Sequence, residues 1–198
     1  MQESKNILLI LEDKLNTIGG VQKYNKALIN IVKNNFKNIN IDVFLPLFTE
    51  INEHEQYNEI NNIYVNNFSI KNKYINQLLI PFYARHGIKE IIKQNNYNLV
   101  IDSTGIYFKY LSKLNNYFLI QHNSFEAYQF KLQKTFTSFL KRTIKILFGA
   151  RFPFNKTKNI ILFDEKNKEE YQKLFKNPNQ NITCISLSSK YKSNIENI

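Results

Sequence analysis

Apolar and polar positions follow two rhythms along this chain, and the two rhythms take turns. Short apolar runs occupy residues 6–12, 41–45, 63–65, 99–101, 117–120, 159–163 and 182–187. Runs of this length, rich in Ile, Leu and Val, predict strands, and the unbroken ones predict burial on both faces of a sheet. Between them the apolar residues recur at helical spacing. Residues 20–35 predict a helix with Val21, Tyr24, Leu28, Ile31 and Val32 on one face and Lys23, Lys26 and Lys33 turned away. Residues 74–95 predict a second helix in which Pro81 imposes a kink or a new start. A short helix is expected over 105–114, a long one over 125–150 and a charged one over 165–175. Pro46 stops the second strand, and 46–61 is polar and irregular.

Strands that alternate with helices predict an α/β fold with a mainly parallel sheet and helices on both faces. Such sheets take ligands beyond the carboxyl ends of their strands, where the strand order reverses. The segments falling there are 13–20, 102–105 and 121–124. They carry Gly19, Gly20, Asp102, Ser103, Thr104, Gly105, His122, Asn123 and Ser124, so small, polar and ionisable residues collect at one end.

Gly19 and Gly20 stand where the first strand gives way to the first helix. Unpaired amides at a helix start face anions readily, and glycine removes the Cβ that would hold a ligand off the backbone. An ordinary strand-to-helix turn also uses glycine, and spacing alone does not separate the two. Asp102 has two readings as well. As a carboxylate at a strand end it can orient a hydroxyl or act as a base; as a cap it satisfies free amides at the start of the next helix, and the cap is favoured. His122 sits at a strand end rather than on an apolar face, where an imidazole can donate to a hydroxyl or stabilise developing charge. His54, in a Glu-rich loop, reads as solvated. His86 lies in the Pro81–Gly87 segment, which suits the surface better than an acceptor pocket.

Composition narrows the classes. At 198 residues and 43% apolar the chain is one globular domain with a real core, and no run approaches a membrane span. The single cysteine, Cys184, excludes an internal disulfide framework and fits a reducing, cytoplasmic setting; in its apolar strand it reads as a small core residue rather than a reactive thiol. The histidines lack ligand spacing, so no metal is expected. No phosphate-loop motif and no paired carboxylates appear. Asn, Ile and Lys are abundant in the manner of an AT-rich coding bias, which discourages special readings of the asparagines. The net charge of +11 favours anionic partners. Nucleic acid is disfavoured, because the lysines are dispersed and no nucleic-acid-binding signature appears. In the 125–150 helix Lys134, Lys141, Arg142 and Lys145, with Phe148 near them, suit an anionic membrane at the inner face of the cell. The alternative is plain packing of the apolar side on the sheet, with solvated lysines.

Taken in order, several stretches resemble the N-terminal half of a family 4 glycosyltransferase, a retaining enzyme of the GT-B type. They are Asn6–Ile10 with Ile18-Gly19-Gly20-Val21-Gln22, Tyr97–Ile101, Leu119–Asn123, Ile160–Phe163 with Lys168-Glu169-Glu170, and Ile182–Leu187. The resemblance implies a Rossmann-like domain over 1–188, on the acceptor side of the enzyme. Residues 189–198 would be a polar tail or the start of a linker. It implies a hexosyltransferase of glycan biosynthesis that moves sugar from a nucleotide-sugar to a hydroxyl of a cell-surface glycan or glycolipid, without metal or other cofactor. The Gly19-Gly20 backbone would lie beside the donor phosphates and His122 would hold the donor sugar. Ser103 and Asn123 would join the donor and acceptor site, and segments 46–62 and 72–90 would shape the acceptor pocket. The donor-gripping C-terminal half is expected from a longer chain or a partner chain. Asn98 stands where the family often has Asp. A non-catalytic basic module that binds an anionic membrane or glycan is the competing reading.

Overall fold

A computed structural model of the chain describes residues 4–12, 20–35, 38–47, 60–66, 73–104, 106, 108–120, 136, 157–162, 165–174 and 179–184. Among them, seven strands form one sheet: β1 (Lys5–Ile10), β2 (Ile39–Leu45), β3 (Asn62–Val65), β4 (Leu99–Asp102), β5 (Tyr117–Ile120), β6 (Asn159–Leu162) and β7 (Asn181–Cys184). Their order is β3-β2-β1-β4-β5-β6-β7, and every neighbouring pair is parallel. All seven expected strands are present. The helices are α1 (Gly20–Asn35), α2 (Lys73–Gln94) and α3 (Glu165–Leu174).

Side chains alternate across the pleat and feed two apolar layers. Ile7, Leu9 and Leu11 join Ile41, Val43 and Leu45 beneath Ile29 and Val32 of α1. On the other face Leu8, Ile10 and Phe44 meet Ala84, Ile88 and Ile91 of α2 and Tyr171 of α3. The inner strands are thus buried on both sides, which is why their runs read as unbroken apolar blocks, whereas the edge strands β3 and β7 are partly exposed. Gly87 brings α2 close to Phe44: a Cβ there would lie 3.4 Å from the ring.

Three expectations change. Residues 105–114 do not form an α-helix among the described positions. The amides of Leu111 and Leu114 bond back to the carbonyls of Phe108 and Leu111, giving a series of tight turns. Ile106, Phe108 and Leu111 are all buried, a spacing that turns satisfy and one helix face does not. Pro81 does not start a new helix, since α2 is assigned as one helix across it. Lys33 does not simply point away: its ammonium donates to the Ile39 carbonyl at 3.2 Å, bracing the passage into β2. That passage turns through Asn38 at φ 59°, a left-handed conformation that asparagine tolerates.

The asparagines also gain a role that composition argued against. At the amino edge of the sheet they tie strand starts together. The Asn6 amide donates to Asn98 Oδ1 at 2.8 Å, Asn40 donates to the Asn6 side chain at 3.0 Å, and Asn181 donates to the Asn159 side chain at 3.0 Å. The bond at Asn98 uses an oxygen that an aspartate would also supply. The long helix expected over 125–150 falls outside the described residues except at Phe136, which is helical and 75% exposed.

Candidate functional site

The chain builds outward from β1 to β3, then returns to β4 on the other flank of β1. The strand order therefore reverses between β1 and β4, whose last paired residues are Ile10 and Asp102. Beyond this point α1 packs on one face, whereas the segment after β4 packs its Ile106 and Phe108 on the other. Divergence of the two connections at the carboxyl edge is the arrangement in which open parallel sheets hold ligands.

Gly20 is the first residue of α1, as the sequence placed it, and it opens the helix on the carboxyl side of β1. The free amides of a first turn give that end a partial positive charge. Ser103 follows directly after β4. Its amide and its hydroxyl both donate to the Ile10 carbonyl, at 2.9 and 3.2 Å, so it clasps β4 to β1 where the order reverses.

Asp102 is completely buried. One carboxylate oxygen accepts from the Thr104 amide at 2.8 Å and the Thr104 hydroxyl at 2.7 Å; the other accepts from the Tyr117 hydroxyl at 2.5 Å. Thr104 Oγ1 accepts in turn from the Ile106 amide at 3.0 Å. Burial pushes the Asp102 carboxyl up to about 6, against hydrogen bonds from Tyr117 and Thr104 that pull it down. The carboxylate thus caps a turn, where the sequence had it capping a helix, and both of its oxygens are committed to the chain itself. The local geometry gives it the work of shaping the loop after β4.

Sequence reasoning missed Asn25. It lies in the second turn of α1, one turn before Ile29 and on the same stripe, at 1% exposure. Among the described residues neither amide atom has a hydrogen-bond partner. Native structures rarely leave a buried amide unsatisfied, so the position asks for an explanation. The one sequence signal was its four-residue spacing from Ile29, which a polar residue in an apolar stripe hides.

Gly19, Gly105, His122, Asn123 and Ser124 lie outside the described residues, as do Lys134, Lys141, Arg142, Lys145 and Phe148. Among the described residues no group of three or more His, Cys, Asp or Glu side chains is placed to hold a metal ion, and no helix is long and apolar enough to cross a membrane. Cys184 is half-buried at the end of β7.

No family model and no curated protein matches the chain. Among solved structures, the sucrose-phosphate synthase of Thermosynechococcus elongatus superposes on it with a TM-score of 0.60, covering 92% of this chain and 48% of that one at 12% identity. The fold is glycosyltransferase-like. The likeness is architectural, since so low an identity carries no residue-by-residue correspondence. The chain spans about half the length of the structure it matches.

Proposed function

We propose that this chain is the acceptor-side half of a glycosyltransferase resembling the retaining family 4 enzymes. In this reading it moves a hexose from a nucleotide-sugar to a hydroxyl of a glycan or glycolipid. A second half, on the same polypeptide or on a partner chain, grips the donor nucleotide. The observation that supports the reading best is the superposition of nearly the whole chain on half of a glycosyltransferase, with the reversal of strand order falling beside Gly20.

The roles follow from position. The first-turn amides of α1 offer partial positive charge to the donor diphosphate, and glycine there leaves the backbone open to it. Ser103 and the Asp102–Thr104 turn fix the neighbouring loop. In sequence His122 and Asn123 come two and three residues after the end of β5, the strand beside β4. They are assigned to the donor sugar, where an imidazole N–H can hydrogen-bond a hydroxyl as the glycosidic bond to phosphate breaks.

The test is transfer from labelled nucleotide-sugars by the full-length gene product together with any partner chain that copurifies. His122→Ala is expected to lower turnover about a hundredfold, the scale of one lost charge-stabilising donor, with the melting temperature unchanged. Wild-type turnover in that variant removes the residue from the site. No transfer from any nucleotide-sugar by the unaltered protein ends the proposal.

A further inference from the structure

A groove of about 640 Å³ opens between α2 and the turns that follow β4. For the Pro81–Gly87 segment the sequence favoured the surface over an acceptor pocket, and Arg85 and His86 of that segment line this groove. Phe82, Arg85, His86 and Lys89 recur at helical spacing and so share one face of α2. Lys109 and Lys113 approach from the turns opposite. The floor is apolar, formed by Ile88 and Phe108, each 1% exposed. At the rim the Phe82 and Tyr110 rings stand 43% and 46% exposed. The Arg85 guanidinium stacks over Phe82, 5.5 Å from the ring centre, which orders both side chains.

Charge is what sets this groove apart. Four permanent cations line it, and among the described residues no carboxylate does. Glu90, the acidic neighbour on α2, is engaged by Lys93 at 3.3 Å, outside the groove. Among the described residues no ion pair reaches Lys89, Lys109 or Lys113. Like charges gathered on one groove repel one another, and exposed aromatic rings gain nothing from water, so the arrangement is best satisfied by an occupant.

We propose that the groove binds a phosphate-bearing ligand. Its phosphate groups lie among Arg85, Lys89, Lys109 and Lys113, and the rest of the molecule covers the Ile88–Phe108 floor between the two rings. A single carboxylate brings one negative charge to a groove lined by four cations. A phosphate monoester or diphosphate carries enough charge, and the arginine fork matches its oxygens. The volume is that of a small-molecule site. The α2 side of the groove lies within the 72–90 segment that the transferase reading gives to the acceptor pocket, but the charge argument holds or fails without that reading.

Two probes separate the sources of such a ligand: inorganic diphosphate by calorimetry, and phosphatidylglycerol vesicles by flotation, with phosphatidylcholine vesicles as the blank. Lys89→Gln/Lys113→Gln is compared with Lys93→Gln/Lys166→Gln, which removes the same charge elsewhere. The groove variant is expected to weaken binding of at least one probe by about tenfold or more, and the control variant by less than about twofold. Groove-dependent binding of diphosphate alone assigns a soluble phosphate compound; groove-dependent binding of vesicles assigns a lipid headgroup. No binding of either probe, equal weakening by both variants, or weakening by neither overturns the proposal. Should the groove variant melt early, acetylation footprinting of the unaltered protein replaces it: Lys89 and Lys113 must be shielded by whichever probe binds, and unchanged labelling overturns the proposal equally.

Discussion

Asp102 is a carboxyl with no access to water and three hydrogen bonds from its own chain, and the balance between these sets a pH dependence. Burial wins, holding the group at about 6 when folded against 3.8 in the open chain. A raised value means that the folded state takes up a proton more readily than the unfolded one. The stability contributed by this group is therefore complete below about pH 4 and is lost as pH rises through about 6. Linkage converts the rise into about 3 kcal/mol. Asp102→Asn keeps an oxygen for Thr104 and cannot titrate, so denaturant unfolding from pH 4 to 7 should lose a downward slope of that size. An unaltered slope would mean that the carboxyl is not buried in solution. Asn25 presents the opposite case, a neutral group that no partner among the described residues satisfies. An unmet buried amide costs about 1–3 kcal/mol, and Asn25→Leu removes it at similar volume. The melting temperature of that variant should rise by several degrees; a fall would show that the amide is answered in the folded protein.

At the level of elements, the parallel sheet is sewn along one edge. Asn159 donates to the carbonyls of Asn115 and Tyr117, each at 3.0 Å, and its own oxygen accepts from Asn181, so one side chain joins the starts of three strand segments. Asn159→Ala leaves buried carbonyls unmet and should cost about 2–3 kcal/mol, seen as a lower urea midpoint at constant slope. A loss no greater than that of an exposed surface substitution would deny the stitching any weight. The strands themselves were legible because burial on both faces writes an unbroken apolar run, and no loop imitates it. The stitching was not legible, since an asparagine in a turn and an asparagine tying two strands look alike in one dimension. The turns at 106–114 were misread as a helix for a related reason. The Asp102–Thr104 lock that diverts the chain depends on Tyr117, fifteen residues away along the chain.

At the scale of the molecule, the alternation of strands and helices was enough to anticipate the layered α/β body and the edge at which its strand order reverses. A parallel sheet with short right-handed crossovers leaves few other ways to connect these elements. The glycosyltransferase-like fold follows at 12% identity because architecture depends on burial pattern, which many sequences share. Gly20 and Ser103 fall where the pattern put them, since both are fixed by the ends of strands. The basic groove escaped notice because it is assembled from two segments about twenty residues apart, each of which alone reads as a solvated lysine face. Net charge favours anionic partners without saying where on the surface one would be met.

The sewn edge has a practical corollary. With strand register secured at the end where the asparagines sit, the connections at the opposite end, apart from residues 102–104 that clasp β4 to β1, carry less of the task of holding the sheet in alignment. They are the natural places to splice in foreign segments, and a scaffold fastened along a single hem in this way lends itself to exchanging recognition loops wholesale while the layered body stays as it is.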